Sequence, residues 1–332
     1  MSDPSEQIRV GVVGLGYWGP NLARNLAAIP GCELSWLCDT DEQTRAKLAP
    51  SFPTARLTAN LDDLLGDPQL DAIVLATPVP THAELAIAVA QAGKHCFVEK
   101  PLAITAADAQ RAVDAAARAG RILMVGHLLE YHPAVARLKG LVESGELGAL
   151  YYLYGNRLNL GVLRADENAL WSLGAHDVSV ALYLIDEEPE VCLAHGASFV
   201  RAGVQDVVFC YLRFPSGVVA HLHLSWLDPH KERRITVVGA QRMATFDDML
   251  IEGKLTIYDK GFDEDTRSPS GTRYSARAGD TYSPRIPNVE PLRVECEHFI
   301  ECVRSGATPR SDGLSGLRVV RVLEALQRSL DG

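Results

Sequence analysis

The chain has 332 residues, 47% of them hydrophobic and 22% charged, with a formal net charge of −10. That length suggests about two domains, each large enough to bury a core. The acidic balance without any Lys/Arg run argues against a nucleic-acid binder, and no apolar stretch reaches the ~18 residues of a membrane span.

A few placed Arg side chains still suffice for an anionic small molecule. The N-terminal MSDPSEQIRV has no charged region followed by an apolar one, so no signal peptide is expected. The cysteines Cys32, Cys38, Cys96, Cys192, Cys210, Cys296 and Cys302 form no C-x-x-C pair. Their scatter fits reduced thiols in the cytoplasm, and the His and Cys spacing suggests no metal.

In chain order, Arg9 to Val13 reads as a short buried strand, followed by a glycine-rich turn and a helix from Pro20 to Ala28. Leu34 to Cys38 is a second strand, and Glu42 to Ala49 a helix. Ala72 to Ala76 is a third strand; Thr81 to Ala92 is an Ala-rich helix stopped by Gly93. His95 to Val98 is a strand, Ala106 to Ala119 a helix closed by Gly120, and Ile122 to Val125 another strand. Strands alternating with helices and glycine stops predict a doubly wound parallel sheet, a Rossmann domain over residues 1–126.

The pattern then changes. Helices are expected from His132 to Glu143 and from Asn168 to Leu184, with a Tyr-rich strand from Tyr151 to Leu158 between them. Strand candidates follow at Val191 to Phe199, Val207 to Phe214, Val218 to Trp226, Arg234 to Gly239, Met243 to Asp247 and Lys254 to Tyr258. Turns such as Pro215-Ser216-Gly217 imply hairpins, so residues 127–292 read as an α+β domain with a mostly antiparallel sheet. Asp263 to Pro291 is polar and reads as a long loop. Helices from Arg293 to Ser305 and from Ser315 to Ser329 make a closing segment, 293–332.

Gly14-Leu15-Gly16-Tyr17-Trp18-Gly19 matches G-x-G-x-x-G between a strand and a helix, the context that gives the motif weight. The first glycine allows the tight turn, the second lets backbone approach a pyrophosphate, and the third lets helix and strand pack closely. Asp39 ends the second strand, 25 positions after Gly14. A carboxylate there accepts bonds from the adenosine ribose and repels a 2′-phosphate, and no Arg adjoins it, so NAD is favoured over NADP. Thr77, Pro78 and His82 follow the third strand and are further cofactor candidates. Thr81 is equally well read as a helix N-cap.

Glu99-Lys100-Pro101 ends the strand beginning at His95, which places Glu99 and Lys100 at the cofactor edge of the sheet. A lysine there can bind a substrate hydroxyl, although a lone Lys is more often a solvated charge. Ser172 and His176, four apart on a predicted helix, share a face. Histidine suits proton transfer near neutral pH. His127, His221, His223 and His298 compete for the role, and the residues alone leave the choice open.

The glycine loop, Glu99-Lys100-Pro101, Ser172-Leu173-Gly174-Ala175-His176-Asp177 and Glu290-Pro291-Leu292 together resemble the Gfo/Idh/MocA oxidoreductase family over nearly the whole chain. The resemblance implies a Rossmann domain followed by a substrate domain with a large open sheet. It also implies C-terminal helices that return to the first domain, and a homodimer or homotetramer. It maps the family's catalytic lysine to Lys100 and its D-x-x-x-H pair to Ser172 and His176, with the aspartate replaced. Asn156 to Gly161, Asp166 to Ser172 and Gly126 to Pro133 resemble the nucleotide-sugar branch, UDP-N-acetylglucosamine 3-dehydrogenases, in which that serine is common. On this resemblance Tyr131, Arg157, Asn159, Arg164, Ser172 and Tyr282 join Lys100 and His176 as substrate residues, with Arg285 a weaker candidate. For Arg157 and Arg164 a structural salt bridge is nearly as good a reading. Two rival functions remain: an inositol, free-sugar or dTDP-deoxysugar enzyme, and a non-catalytic NAD-binding sensor.

Overall fold

The computed structural model describes residues 7–332 except 162, 164–166 and 266–272. Contacts divide the chain into two units. One runs up to Tyr131 and includes Val289–Arg321; the other takes His132–Asn288 and Val322–Gly332.

The first unit holds β1 (Ile8–Val13), β2 (Cys32–Cys38), β3 (Arg56–Thr58), β4 (Ala72–Leu75), β5 (His95–Glu99) and β6 (Leu123–Gly126). They form one sheet in the order β3-β2-β1-β4-β5-β6. Every neighbouring pair is parallel. That order reverses direction between β1 and β4, the switch point where open α/β sheets take ligands at the carboxyl ends of their strands. The strands are near-continuous apolar runs because both faces are covered. Val10, Val12, Val74, Phe97 and Met124 are all buried in one core.

Helices α1 (Gly19–Ala27), α2 (Glu42–Leu48), α3 (Leu61–Leu65), α4 (His82–Gln91) and α5 (Ala106–Ala119) connect the strands. Local chemistry sets their ends. Thr105 caps α5 by accepting the Asp108 N–H at 3.1 Å, and Gly120 closes it at φ 61°. Asp41 caps α2 through Gln43 N–H at 3.0 Å. Helix α8 (Pro291–Ser305) packs on α1 and β1, with Phe299 edge-on to Phe97 at 5.7 Å. Helix α9 (Gly313–Asp331) begins in this unit and ends in the other. No helix among the described residues is long and apolar enough to cross a membrane.

The second unit has α6 (Pro133–Glu143), α7 (Ala175–Ile185) and eight strands: β7 (Leu150–Leu158), β8 (Val191–Ala197), β9 (Val207–Arg213), β10 (Val219–Ser225), β11 (Glu232–Gly239), β12 (Met243–Asp247), β13 (Leu255–Asp265) and β14 (Arg273–Tyr282). Their order is β14-β13-β12-β11-β7-β10-β9-β8. Strands β7 and β10 pair in parallel, and the other neighbours are antiparallel. Alternation is clean in β9: Val208, Cys210 and Leu212 are buried, whereas Phe209 and Tyr211 are exposed.

Three expectations change. The polar stretch Asp263 to Pro291 is not one loop, because β13 continues to Asp265 and β14 pairs with it along the sheet edge. Backbone pairing needs no apolar run, and a polar edge is how sheets avoid further pairing. The helix expected from Asn168 to Leu184 is a π-helical turn, Leu170–Gly174, leading into α7. The first unit keeps residues up to Tyr131 rather than Gly126, because the Tyr131 hydroxyl bonds Ser311 Oγ at 2.9 Å and Arg310 lies 4.9 Å over its ring.

Candidate active site

The glycine loop is shaped for close approach. Gly14 has φ +88°, and a Cβ there would sit 2.6 Å from the Ala76 carbonyl oxygen. A Cβ on Gly19 would fall 1.9 Å from the Gly14 oxygen, so helix and turn pack in contact. Gly16 faces open space, with no heavy atom within 4 Å of its Cβ position. No side chain caps α1, so its positive end is presented beside that opening. Tyr17 is 91% exposed beside Gly16, and Trp18 sits at the N-cap. A small open turn at an uncapped helix start fits a dinucleotide pyrophosphate.

Asp39, directly after β2, is bonded to this loop. Its carboxylate accepts Leu15 N–H at 2.6 Å and Asp41 N–H at 2.9 Å. The fold also brings a cation that the adjacent sequence lacks: Arg45 of α2 donates to the Asp39 carbonyl oxygen at 2.5 Å.

At the end of β4, Thr77 and Thr81 share a hydroxyl hydrogen bond of 2.8 Å, and Pro78 opens a 3-10 turn, Val79–Thr81. Thr81 occupies the N-cap of α4 without capping it; its hydroxyl donates to Pro78 O at 2.7 Å. His82 does not line the cofactor site. It is 1% exposed, with one ring nitrogen 2.8 Å from Thr77 O and the other 2.8 Å from Pro101 O. Burial holds its pKa below the usual imidazole value. It acts as a strut between the segments after β4 and β5, a role set by two carbonyls remote in sequence.

Glu99 closes β5 and Lys100 follows, with a cis peptide bond to Pro101. The Glu99 carboxylate accepts Lys100 N–H at 3.2 Å. Burial pushes its pKa up to about 7, against the opposing pull of Lys100 and of the Trp18 indole N–H. His127, just after β6, is 1% exposed, and burial drives its pKa down to about 3. It is therefore a neutral ring near neutrality.

In the second unit, the π-helical turn carries Ser172 and the first turn of α7 carries His176, both half-buried. Two residues that sequence reasoning assigns to substrate are placed in the interior instead. Arg157 of β7 is buried and donates through Nε and Nη2 to Asp177 of α7, which is 1% exposed. Tyr131, in the first unit, is also 1% exposed, and its hydroxyl is committed to Ser311. Asn159 follows β7, its N–H on Ser225 O at 3.0 Å, and Tyr282 ends β14, 42% exposed. Arg164 lies outside the described residues, and Arg285 is exposed.

A family model described as "Oxidoreductase family, NAD-binding Rossmann fold" matches residues 8–127, and the GFO/IDH/MocA C-terminal domain model matches residues 135–245. A crystal structure of an oxidoreductase from Magnetospirillum magnetotacticum is 30% identical, with 96% of this chain and 99% of that one covered and a TM-score of 0.83. The chain belongs to the Gfo/Idh/MocA oxidoreductase family.

Within the Gfo/Idh/MocA family, the myo-inositol 2-dehydrogenase of Thermotoga maritima is 29% identical over 98% of this chain and 96% of its own. The UDP-N-acetylglucosamine 3-dehydrogenase of Acidithiobacillus ferrooxidans is 28% identical over 94% of both chains. Its crystal structure superposes with a TM-score of 0.83 over 98% of each, at 27% identity. The protein is thus an NAD-binding oxidoreductase, and the loop around Gly16 is where a Rossmann fold takes that cofactor.

Proposed function

We propose that the protein oxidises the 3-hydroxyl of a nucleotide-sugar of the UDP-N-acetylglucosamine type. The supporting observation is Ser172, four residues before His176, together with similarity over nearly the whole chain to a 3-dehydrogenase of that substrate. Bound NAD supplies the hydride acceptor. Lys100 binds the reacting oxygen and His176 takes its proton, with no carboxylate at position 172 to hold the imidazole. Asn159, Ser172 and Tyr282 are the candidates for sugar and diphosphate oxygens. Inositol oxidation is the second reading, favoured by the comparable identity to the Thermotoga enzyme.

The test is NADH formation by purified protein with UDP-N-acetylglucosamine, its uronic acid, dTDP-sugars, and myo- and scyllo-inositol. We expect kcat/KM for a UDP-sugar to exceed that for either inositol by roughly a hundredfold. Equal or higher values for an inositol overturn the nucleotide-sugar assignment. NAD binding without turnover of any alcohol would favour a sensor.

The same reading makes the enzyme a homo-oligomer in the cytoplasm, where its seven unpaired cysteines stay reduced. One face of the second unit's sheet carries Leu193, Tyr211, His221 and Tyr154 in one register row, and His195, Phe209 and His223 in the next. Seven or eight strands ~4.8 Å apart and ~7 residues long present roughly 800 Å², about one partner's share of a standard interface. A second copy of the chain fits such an aromatic- and histidine-rich face. Sedimentation velocity is expected to show a dimer or larger species that Phe209→Lys dissociates; a monomeric wild type refutes the assignment.

A further inference from the structure

Glu99 lies where the dinucleotide loop meets a buried group of acids. Its carboxyl group crosses Gly126 of β6, where a Cβ would approach it to 3.2 Å. The Trp18 indole, at the end of the glycine loop, donates to it, and Lys100 lies beside it. From α8, Glu295 enters the same interior. It is fully buried, and neither of its carboxyl oxygens has a hydrogen-bond partner among the described residues. Glu130, in the turn Leu128–Tyr131, is a third buried carboxyl, and it faces Arg310, Asp312 and Arg318.

We propose that Glu99 releases a proton when the oxidised cofactor binds, and that it thereby sets the preference between NAD+ and NADH. In a dinucleotide-binding sheet the nicotinamide half belongs to the strands beyond the switch point, here β4 to β6, and Glu99 ends β5. Oxidised nicotinamide is a cation; the reduced ring is neutral. A cation near Glu99 favours its carboxylate, so the protonated acid plus NAD+ gives carboxylate plus bound NAD+ plus a proton passed to the buffer. The neutral reduced ring drives no such release.

The surrounding groups isolate this titration. Glu130 and Glu295 are buried and Glu99 is half-buried near them, so the three carboxyls oppose one another's ionisation. Glu295 is held protonated by burial and by the charges of Glu99 and Glu130. His82 and His127 stay neutral, and burial pushes Tyr131 and Cys296 up. Glu99, at about 7, is the acid that contacts the loop, whereas Glu130, at about 8, faces α9 and the segment before it. The cation lowers the bound-state pKa of Glu99 below its free value. NAD+ affinity therefore rises with pH between those two values, levels off above about 7, and is weakened at acid pH.

The experiment is calorimetric binding of NAD+ and of NADH to the full chain, without sugar, in two buffers of different ionisation heat. Wild type is expected to release protons with NAD+ and to bind it about tenfold more weakly near pH ~5.5 than near pH ~8, tenfold being one pK unit of depression. NADH affinity is expected to change less than about twofold over that range. Glu99→Gln flattens the NAD+ profile. Glu295→Gln, which reproduces a neutral acid, and Glu130→Gln leave its slope intact. Equal pH dependence for both cofactor forms, no proton release by wild type, or a slope that survives Glu99→Gln overturns the proposal. So does a slope lost in Glu295→Gln or Glu130→Gln. The wild-type buffer comparison decides even if a variant does not fold.

Discussion

Lys100→Ala is expected to lower kcat about a thousandfold while NAD still binds within a few-fold of wild type, in line with loss of a positioned acid–base group. Lys100 directly follows β5, at the carboxyl edge of the sheet where open α/β folds place their ligands. Its own backbone N–H donates to the Glu99 carboxylate, which anchors it at that edge. The glycine loop proposed to take the pyrophosphate is a separate segment, so cofactor affinity is expected to be spared. Lys100→Arg keeps the charge but exchanges a compact ammonium for a broad planar fork, and is not expected to rescue turnover. Steady-state rates on the best alcohol of the substrate series, paired with NAD titration by fluorescence, supply the measurement. A Lys100→Ala variant that keeps more than about a tenth of wild-type kcat removes the residue from the chemistry.

The cofactor half was readable because its physics is local. A glycine turn, an uncapped helix start and a strand-end Asp all lie within one strand–helix–strand stretch, and apolar strands covered on both faces announce themselves. The short edge strand β3, three residues of which two are exposed and the third is half-buried, has no apolar run to announce it. Strand β14 is hidden for the same reason: its sequence, RYSARAGDTY, is polar, and only pairing with β13 makes it a strand.

Partners distant in sequence account for the misplaced side chains. An Arg that matches phosphate geometry also matches a carboxylate, and nothing near Arg157 in sequence reveals that Asp177 will meet it. His82 is held by Thr77 and by Pro101, 19 positions away. Arg45 reaches back from α2 to the backbone of Asp39. Glu295 did leave a signal. On α8 the buried set Leu292, Glu295, Cys296, Phe299 and Ile300 follows a helical apolar stripe, and Glu295 occupies one of its positions. A carboxylate in such a stripe is a buried acid before any coordinates are known.

The largest loss of stability is expected from Asp177→Ala, about 3–5 kcal/mol by urea unfolding, because a guanidinium is left in the interior without its counter-charge. The side chains of Arg157 and Asp177 are 8% and 1% exposed, so water can replace little of what is removed. The pair ties β7 to α7, and α7 carries His176 one residue before Asp177. Removing both charges in Arg157→Met/Asp177→Leu is expected to recover most of the stability, since an apolar pair of similar volume avoids the desolvation cost of two ions. That double variant also separates the two readings of Arg157. If the residue only holds β7 to α7, KM for the sugar stays within a few-fold of wild type once stability is restored. If Arg157 binds diphosphate, the double variant is stable yet KM rises about tenfold or more, the loss expected from one charge-assisted hydrogen bond. A buried guanidinium already paired with a carboxylate offers little surface to a ligand, so the first outcome is the one the geometry favours.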